Sequence, residues 1–200
     1  MPRHTISTMI GKIVKQVARL RGSGSALPGL VVERMDHGYL KRTLEPLREG
    51  VILVSGTNGK TTTTKMVVQL LREQGLKVFT NRTGSNFVRG VLASLLTEVD
   101  AAGNLDADIA VLELDEAHAV HFVARVRPRA CLLLNVMRDQ LDRFGEIDYT
   151  ASLLHSIAQA TSDVVVLNGD DPRLAAPAFL EGVSARVVSF GAGEDLRSLF

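Results

Sequence analysis

Apolar positions repeat with two different periods along this 200-residue chain. Near the start, Ile6, Ile10, Ile13, Val17 and Leu20 recur at helical intervals, with Lys12, Lys15 and Arg19 among the polar positions. That spacing predicts an amphipathic helix over residues 5–21. Such a face has two destinations: packing on the rest of the chain, or lying on an anionic membrane surface. Gly22-Ser23-Gly24-Ser25, followed by Pro28-Gly29, reads as a linker. The chain then divides into a helix at 1–22, a linker and lead-in segment at 23–37, and a main domain at 38–200. A short helix is predicted over 37–48.

From residue 51 the period changes. Short apolar runs at 51–54, 77–80, 109–113, 130–134, 164–167 and 186–189 alternate with helical patterns at 59–73, 86–96, 116–126 and 149–161. This alternation implies an α/β fold, a parallel sheet with helices on both faces. In such sheets the ligand sits at the carboxyl ends of the strands. Polar clusters follow the first five predicted strands, at 56–62, 81–86, 113–116, 135–143 and 168–172.

Composition narrows the class. A net charge of +1 and the lack of a polybasic block argue against a nucleic-acid partner. Cys131 is the single cysteine, so this chain alone builds neither a disulfide framework nor a zinc ribbon. It lies in the apolar run 130–134 and reads as a packed thiol rather than a nucleophile. No apolar run approaches the ~18 residues of a membrane span. The N-terminus lacks a signal-peptide pattern, and the chain reads as cytosolic.

Candidate chemistry begins at the first strand. The apolar run 51–54 meets Ser55-Gly56-Thr57-Asn58-Gly59-Lys60-Thr61-Thr62, and a helical pattern follows. Glycines let backbone N–H groups approach phosphates, and the helix start adds the positive end of its dipole. In this layout Lys60 reaches the β- and γ-phosphates of ATP, and the Thr61 hydroxyl sits on Mg²⁺. The spacing departs from the general phosphate-loop pattern, because Val54 stands where glycine is expected. Glu113 ends the third strand, and a hard carboxylate suits Mg²⁺. It is expected to face Thr61 across the metal, with Glu116 and Asp115 as further candidates. His118 and His121, three apart beside Glu116, could ligate a transition metal or lie on a solvated helix face.

The motif residues resemble those of a known family. Gly56-Thr57-Asn58-Gly59-Lys60-Thr61-Thr62 is similar to the phosphate loop of Mur ligases and folylpolyglutamate synthases. Asn135 with Asp139-Gln140-Leu141-Asp142-Arg143, and Asn168-x-Asp170-Asp171-Pro172, resemble two further elements of that family. Gln140 in place of histidine, the segment from Asn81 to Asn86 and Glu113-Leu114-Asp115-Glu116-Ala117 resemble the MurT-type branch, the ligase subunits of lipid II isoglutaminyl synthase. The likeness covers roughly residues 5–190.

The resemblance implies a P-loop NTPase-like Mur ligase central domain behind an N-terminal amphipathic helix. It implies an ATP-dependent amide ligase that activates the D-glutamate α-carboxylate of lipid II as an acyl phosphate. Ammonia from a GatD-like glutaminase subunit then attacks. It makes Lys60 and Glu113 catalytic and places Gly56, Thr57, Asn58, Gly59, Thr61, Thr62, Asn168 and Asp171 at the nucleotide. It places Asn81, Thr83, Asn135, Arg138 and Asp142 at or behind the substrate. Two other readings keep the fold: an amino-acid-adding Mur or folylpolyglutamate-type ligase, and a nucleotide-binding remnant without catalysis. Three departures stand out. No lysine follows Lys77, where many Mur ligases carry a carbamylated one; the four-cysteine zinc ribbon of MurT-type chains is missing; and the sequence stops at Phe200, before the C-terminal ligase domain of the family. The central domain is therefore expected to be incomplete.

Overall fold

The computed structural model describes residues 3–20, 27–81, 86–137 and 146–192. Three helices come first: α1 (Arg3–Leu20), α2 (Leu27–Met35) and α3 (Tyr39–Leu44). Then follow β1 (Val51–Ser55), α4 (Lys60–Glu73), β2 (Val78–Thr80), α5 (Val88–Glu98), β3 (Ile109–Glu113) and α6 (Glu116–Val123). The remaining elements are β4 (Ala130–Leu133), α7 (Glu146–Ala160), β5 (Val164–Asn168) and β6 (Arg186–Phe190). The strands form one sheet in the order β2-β3-β1-β4-β5-β6, and every pairing is parallel.

Strand order explains the two layers of helices. The crossover from β1 runs outward to β2, whereas the later crossovers run the opposite way along the sheet. Because such connections are right-handed, α4 must lie on one face and α5, α6 and α7 on the other. The core has this division. Val51 and Leu53 of β1, Ala110 and Leu112 of β3 and Cys131 and Leu133 of β4 meet Leu92, Leu95, Phe122, Leu154 and Ile157. Val54, Ile109 and Val111 point the other way, onto Val68 of α4. Each fully buried Leu or Phe contributes roughly 1.5–3 kcal/mol. Among the described residues no helix is long and apolar enough to cross a membrane.

The reversal at β1 positions the site. Register pairs Val54 with Glu113 and Ser55 with Leu133, so the loops leaving β1, β3 and β4 emerge together at one edge of the sheet.

Two segments differ from expectation. Residues 27–35, read as linker, are helix α2, and Val32 joins the main core. Pro28 stands in the first turn, where its missing N–H has no intrahelical partner to lose. Gly29 lets α2 approach α5: a Cβ there would lie 2.0 Å from the Arg89 carbonyl oxygen. The Pro-Gly pair therefore marks a helix start and a close crossing, not a turn. Helix α3 ends at Leu44 instead of reaching residue 48: Glu45 still has helical backbone and donates its N–H to the Lys41 carbonyl, but Pro46 has no N–H with which to continue the ladder.

Helix α1 packs on α2 and α5 rather than standing apart. Ser7 Oγ donates to Asp36 Oδ2 at 2.9 Å, and the Thr8 and Tyr39 hydroxyls share a hydrogen bond of 2.9 Å.

Candidate functional site

The loop between β1 and α4 is shaped by two glycines. Gly56 has φ 134° and Gly59 φ 85°, conformations that side chains rarely adopt. Gly56 also has no room for one, since a Cβ would lie 3.0 Å from the Asn135 backbone nitrogen. Gly59 is the N-cap of α4 and supplies no side-chain cap, and the first turn of that helix carries no acidic residue. The helix start thus keeps its positive end for an anion.

The neighbouring loop braces this one from β4. Thr57 N–H donates to the Asn135 carbonyl at 3.1 Å, and Asn58 N–H donates to Asn135 Oδ1 at 2.9 Å. Asn135 Nδ2 returns a bond to the Asn58 carbonyl at 3.1 Å. Two residues further on, Met137 N–H donates to Thr57 Oγ1 at 3.0 Å. From the β3 side, the buried Ser55 hydroxyl donates to the Leu114 carbonyl at 2.9 Å. Asp171 adds a second tier: its Oδ2 accepts from Val136 N–H at 2.7 Å, and its Oδ1 accepts from the N–H groups of Arg173 and Leu174. Both oxygens of this buried carboxylate are therefore engaged within the protein. Asn168 ends β5, and its Oδ1 accepts from Asp170 N–H at 2.9 Å.

Lys60 lies across the loop. Its Nζ donates to the carbonyls of Gly56 (2.6 Å) and Thr57 (3.1 Å) and stands 3.3 Å from Asp115 Oδ1. The next residue meets the third strand: Thr61 Oγ1 donates to Glu113 Oε1 at 2.7 Å. Asn81 fixes the backbone of Glu113 from both sides, accepting its N–H at 2.9 Å and donating to its carbonyl at 2.8 Å. Glu113 and Asn81 are both buried. Beside them opens a cleft of about 520 Å³ bounded by Thr61, Asn81, Thr80 and Glu113.

The other expected residues scatter. Thr62 is exposed on α4. Glu116 opens α6, outside the Thr61–Glu113 pair, while Asp115 serves as counter-ion to Lys60. His118 and His121 are exposed on α6, and His118 stacks loosely on Phe87, with ring centroids 6.0 Å apart. Among the described residues no group of three potential ligands could hold a transition metal. Thr83, Arg138, Asp142 and the segment from Asp139 to Arg143 lie outside the described residues. Burial pushes the Cys131 thiol up to about 12, so it is neutral and held in the core. The paired use of the Asn135 amide was missed in the sequence, and only its place after a strand hinted at it.

An oxygen-only pair, hydroxyl and carboxylate, suits a hard divalent cation such as Mg²⁺ rather than a softer metal. It stands next to an uncapped helix start and a lysine, which suit phosphate oxygens.

Comparison with known proteins gives the family. The chain is 36% identical over 169 residues to the MurT subunit of lipid II isoglutaminyl synthase (glutamine-hydrolyzing) from Streptococcus pneumoniae, a match covering 84% of this chain and 37% of that protein. The chain thus spans little more than a third of the length of that curated relative. Among solved structures, MurF from Acinetobacter baumannii superposes with a TM-score of 0.66 at 24% identity, covering 83% of this chain and 35% of that one. The MurF ligase of Thermotoga maritima in complex with ADP gives 0.62 at 24% identity, covering 78% and 36%. The Mur ligase middle domain family matches residues 54–199, which take in the glycine loop, Glu113 and the bracing loops. The chain belongs to the Mur ligase family.

Proposed function

We propose that this chain is the ATP-binding part of a MurT-like amide ligase. The reaction it would serve activates the α-carboxylate of D-glutamate in lipid II and converts it to the carboxamide. One observation carries the reading: the Thr61 hydroxyl and the Glu113 carboxylate meet at 2.7 Å beside an uncapped glycine loop, in a chain similar to MurT over most of its length.

Thr57 and Asn58, whose N–H groups are held by Asn135, shape the loop, while backbone N–H groups at the start of α4, residues 59–61, bind the phosphates and Lys60 moves from the Gly56 and Thr57 carbonyls onto phosphate oxygen. Thr61 and Glu113 would hold Mg²⁺, and the ion would supply neutralisation of phosphate charge. Asn81 keeps Glu113 in place. Asn135 fixes the loop, Asp171 holds Val136 behind it, and the resemblance assigns Asn168 and Asp171 to the nucleotide side. The resemblance assigns Thr83, Arg138 and Asp142 to the substrate side. In the reaction, a carboxylate oxygen bonds to the γ-phosphorus as the bond to the bridging oxygen of ADP breaks. Ammonia nitrogen then bonds to the acyl carbon, inorganic phosphate leaves, and nitrogen releases a proton. Ammonia would come from a GatD-like glutaminase partner. The positioning of carboxylate, phosphate and amine can contribute about 7–11 kcal/mol of the barrier.

The test is mass spectrometry of lipid II incubated with ATP, Mg²⁺ and ammonium. The chain is supplied alone, and then with the C-terminal portion of a MurT relative and its glutaminase. The carboxamide should form in the complemented reaction and vanish with Lys60→Ala. ATP-dependent addition of an amino acid to a muramyl peptide would instead assign the chain to the amino-acid-adding branch. Nucleotide binding with no turnover in any combination would leave it a binding remnant.

A further inference from the structure

Lys60 Nζ has three protein acceptors for its three protons. The Gly56 and Thr57 carbonyls accept at 2.6 and 3.1 Å, and Asp115 Oδ1 stands 3.3 Å from the same nitrogen. The lysine side chain is 12% exposed and that of Asp115 38%. Of the three acceptors only Asp115 is an anion, so it alone competes with a phosphate for the charge and not merely for a proton. The segment that carries it is fixed residue by residue. Asn81 holds Glu113. Leu114 N–H donates to the Val54 carbonyl at 3.2 Å, and Asp115 N–H donates to the Asn86 carbonyl at 3.1 Å. Asp115 is also the N-cap of α6, where an aspartate carboxylate ordinarily accepts from first-turn N–H groups, yet its side chain makes no such bond. The carboxylate turns to Lys60 instead.

We propose that Asp115 is a latch on Lys60, a positioning residue that holds the lysine against the loop and must yield it to a phosphate. This role rests on the reading of residues 56–62 as a phosphate loop. When a nucleotide enters, phosphate oxygen replaces the carboxylate as the anion on Nζ. When it leaves, Asp115 takes the lysine back. The latch lowers affinity for the nucleotide with or without metal, and it does so only through Lys60. A ligand on Mg²⁺ would act with the opposite sign, raising affinity and only in the presence of the ion. An ion pair exposed to this degree is worth a few-fold in an equilibrium, so Asp115 tunes the site rather than closing it.

Calorimetric titration of the full chain with ATP, in Mg²⁺ and in EDTA, tests it. Asp115→Asn keeps a residue type that suits an N-cap, so its circular dichroism should match the parent's. It should bind ATP about two- to fivefold more tightly than the parent in both conditions. In the Lys60→Ala background the same substitution should leave the residual binding at high nucleotide concentration unchanged, because the lysine it acts through is gone. If Asp115→Asn misfolds, Asp115→Ser replaces it with the same expectation. Unchanged or weaker binding by the folded variant overturns the latch, and weakening confined to Mg²⁺ moves Asp115 to the metal. An equal gain with and without Lys60 overturns it too, since lost repulsion between carboxylate and phosphate would then account for the effect. A parent that binds no ATP would refute the phosphate loop itself, and the latch with it.

Discussion

Asn135→Ala separates loop support from everything else at the site. The substitution deletes two side-chain hydrogen bonds to Asn58, the 2.9 Å bond from its N–H and the 3.1 Å bond to its carbonyl. The main-chain bond from Thr57 N–H to the Asn135 carbonyl survives. Each such bond is worth about 0.5–1.5 kcal/mol net. Both are solvent-exposed, so the pair should favour the closed loop by about 1–2 kcal/mol. At 1.4 kcal/mol per decade, ATP·Mg²⁺ affinity should weaken by about five- to thirtyfold. The melting midpoint should move little, because no core contact is lost. Asn135→Asp is the companion variant. It keeps the acceptor for Asn58 N–H but loses the donor and adds a negative charge beside the phosphate site, so it should bind worse than alanine. Calorimetric titration of the three proteins, with thermal melts alongside, gives the comparison. Parental affinity in Asn135→Ala, or a fall in melting midpoint as large as a core cavity produces, would refute the reasoning.

Other sites give sharp expectations. Glu113→Gln should weaken nucleotide binding in Mg²⁺ more than in EDTA; equal effects in paired titrations would remove Glu113 from the metal. Gly29→Ala puts a Cβ 2.0 Å from the Arg89 carbonyl and should destabilise the fold by about 1–3 kcal/mol, read as a lowered denaturant midpoint. Cys131 should ignore a thiol reagent at pH 8 until the chain is unfolded; fast native-state labelling would contradict its burial. Its value of about 12 lies above the ordinary 9.0, so neutral burial adds stability below pH 9. Chemical denaturation across pH should show that contribution shrinking as pH rises from 9 toward 12.

Local pattern carried the sheet well. Runs such as 109–113 and 164–167 are short, apolar and bounded by polar turns, and they became β3 and β5 within a residue. The meeting of Thr61 with Glu113 was legible because each ends or begins an element at the same sheet edge. Pro28-Gly29 misled because a first-turn proline and a close-packed glycine use the same residues as a turn. The Asn135 clamp was out of reach for another reason: its partner Asn58 is 77 residues away, and only the β1–β4 pairing brings them together. The outward turn of Ile13 and Leu20 on α1 was hidden likewise, since periodicity shows that a helix has an apolar face and not where that face points.

The central claim is that phosphates bind in the loop at residues 56–62 under Lys60. Calorimetric titration of the chain with ATP·Mg²⁺, beside Lys60→Ala at matched stability, tests it most directly. Saturable binding by the parent that is mostly lost in Lys60→Ala is the predicted result. Lys60→Ala binding as tightly as the parent would contradict it and move the nucleotide away from this loop.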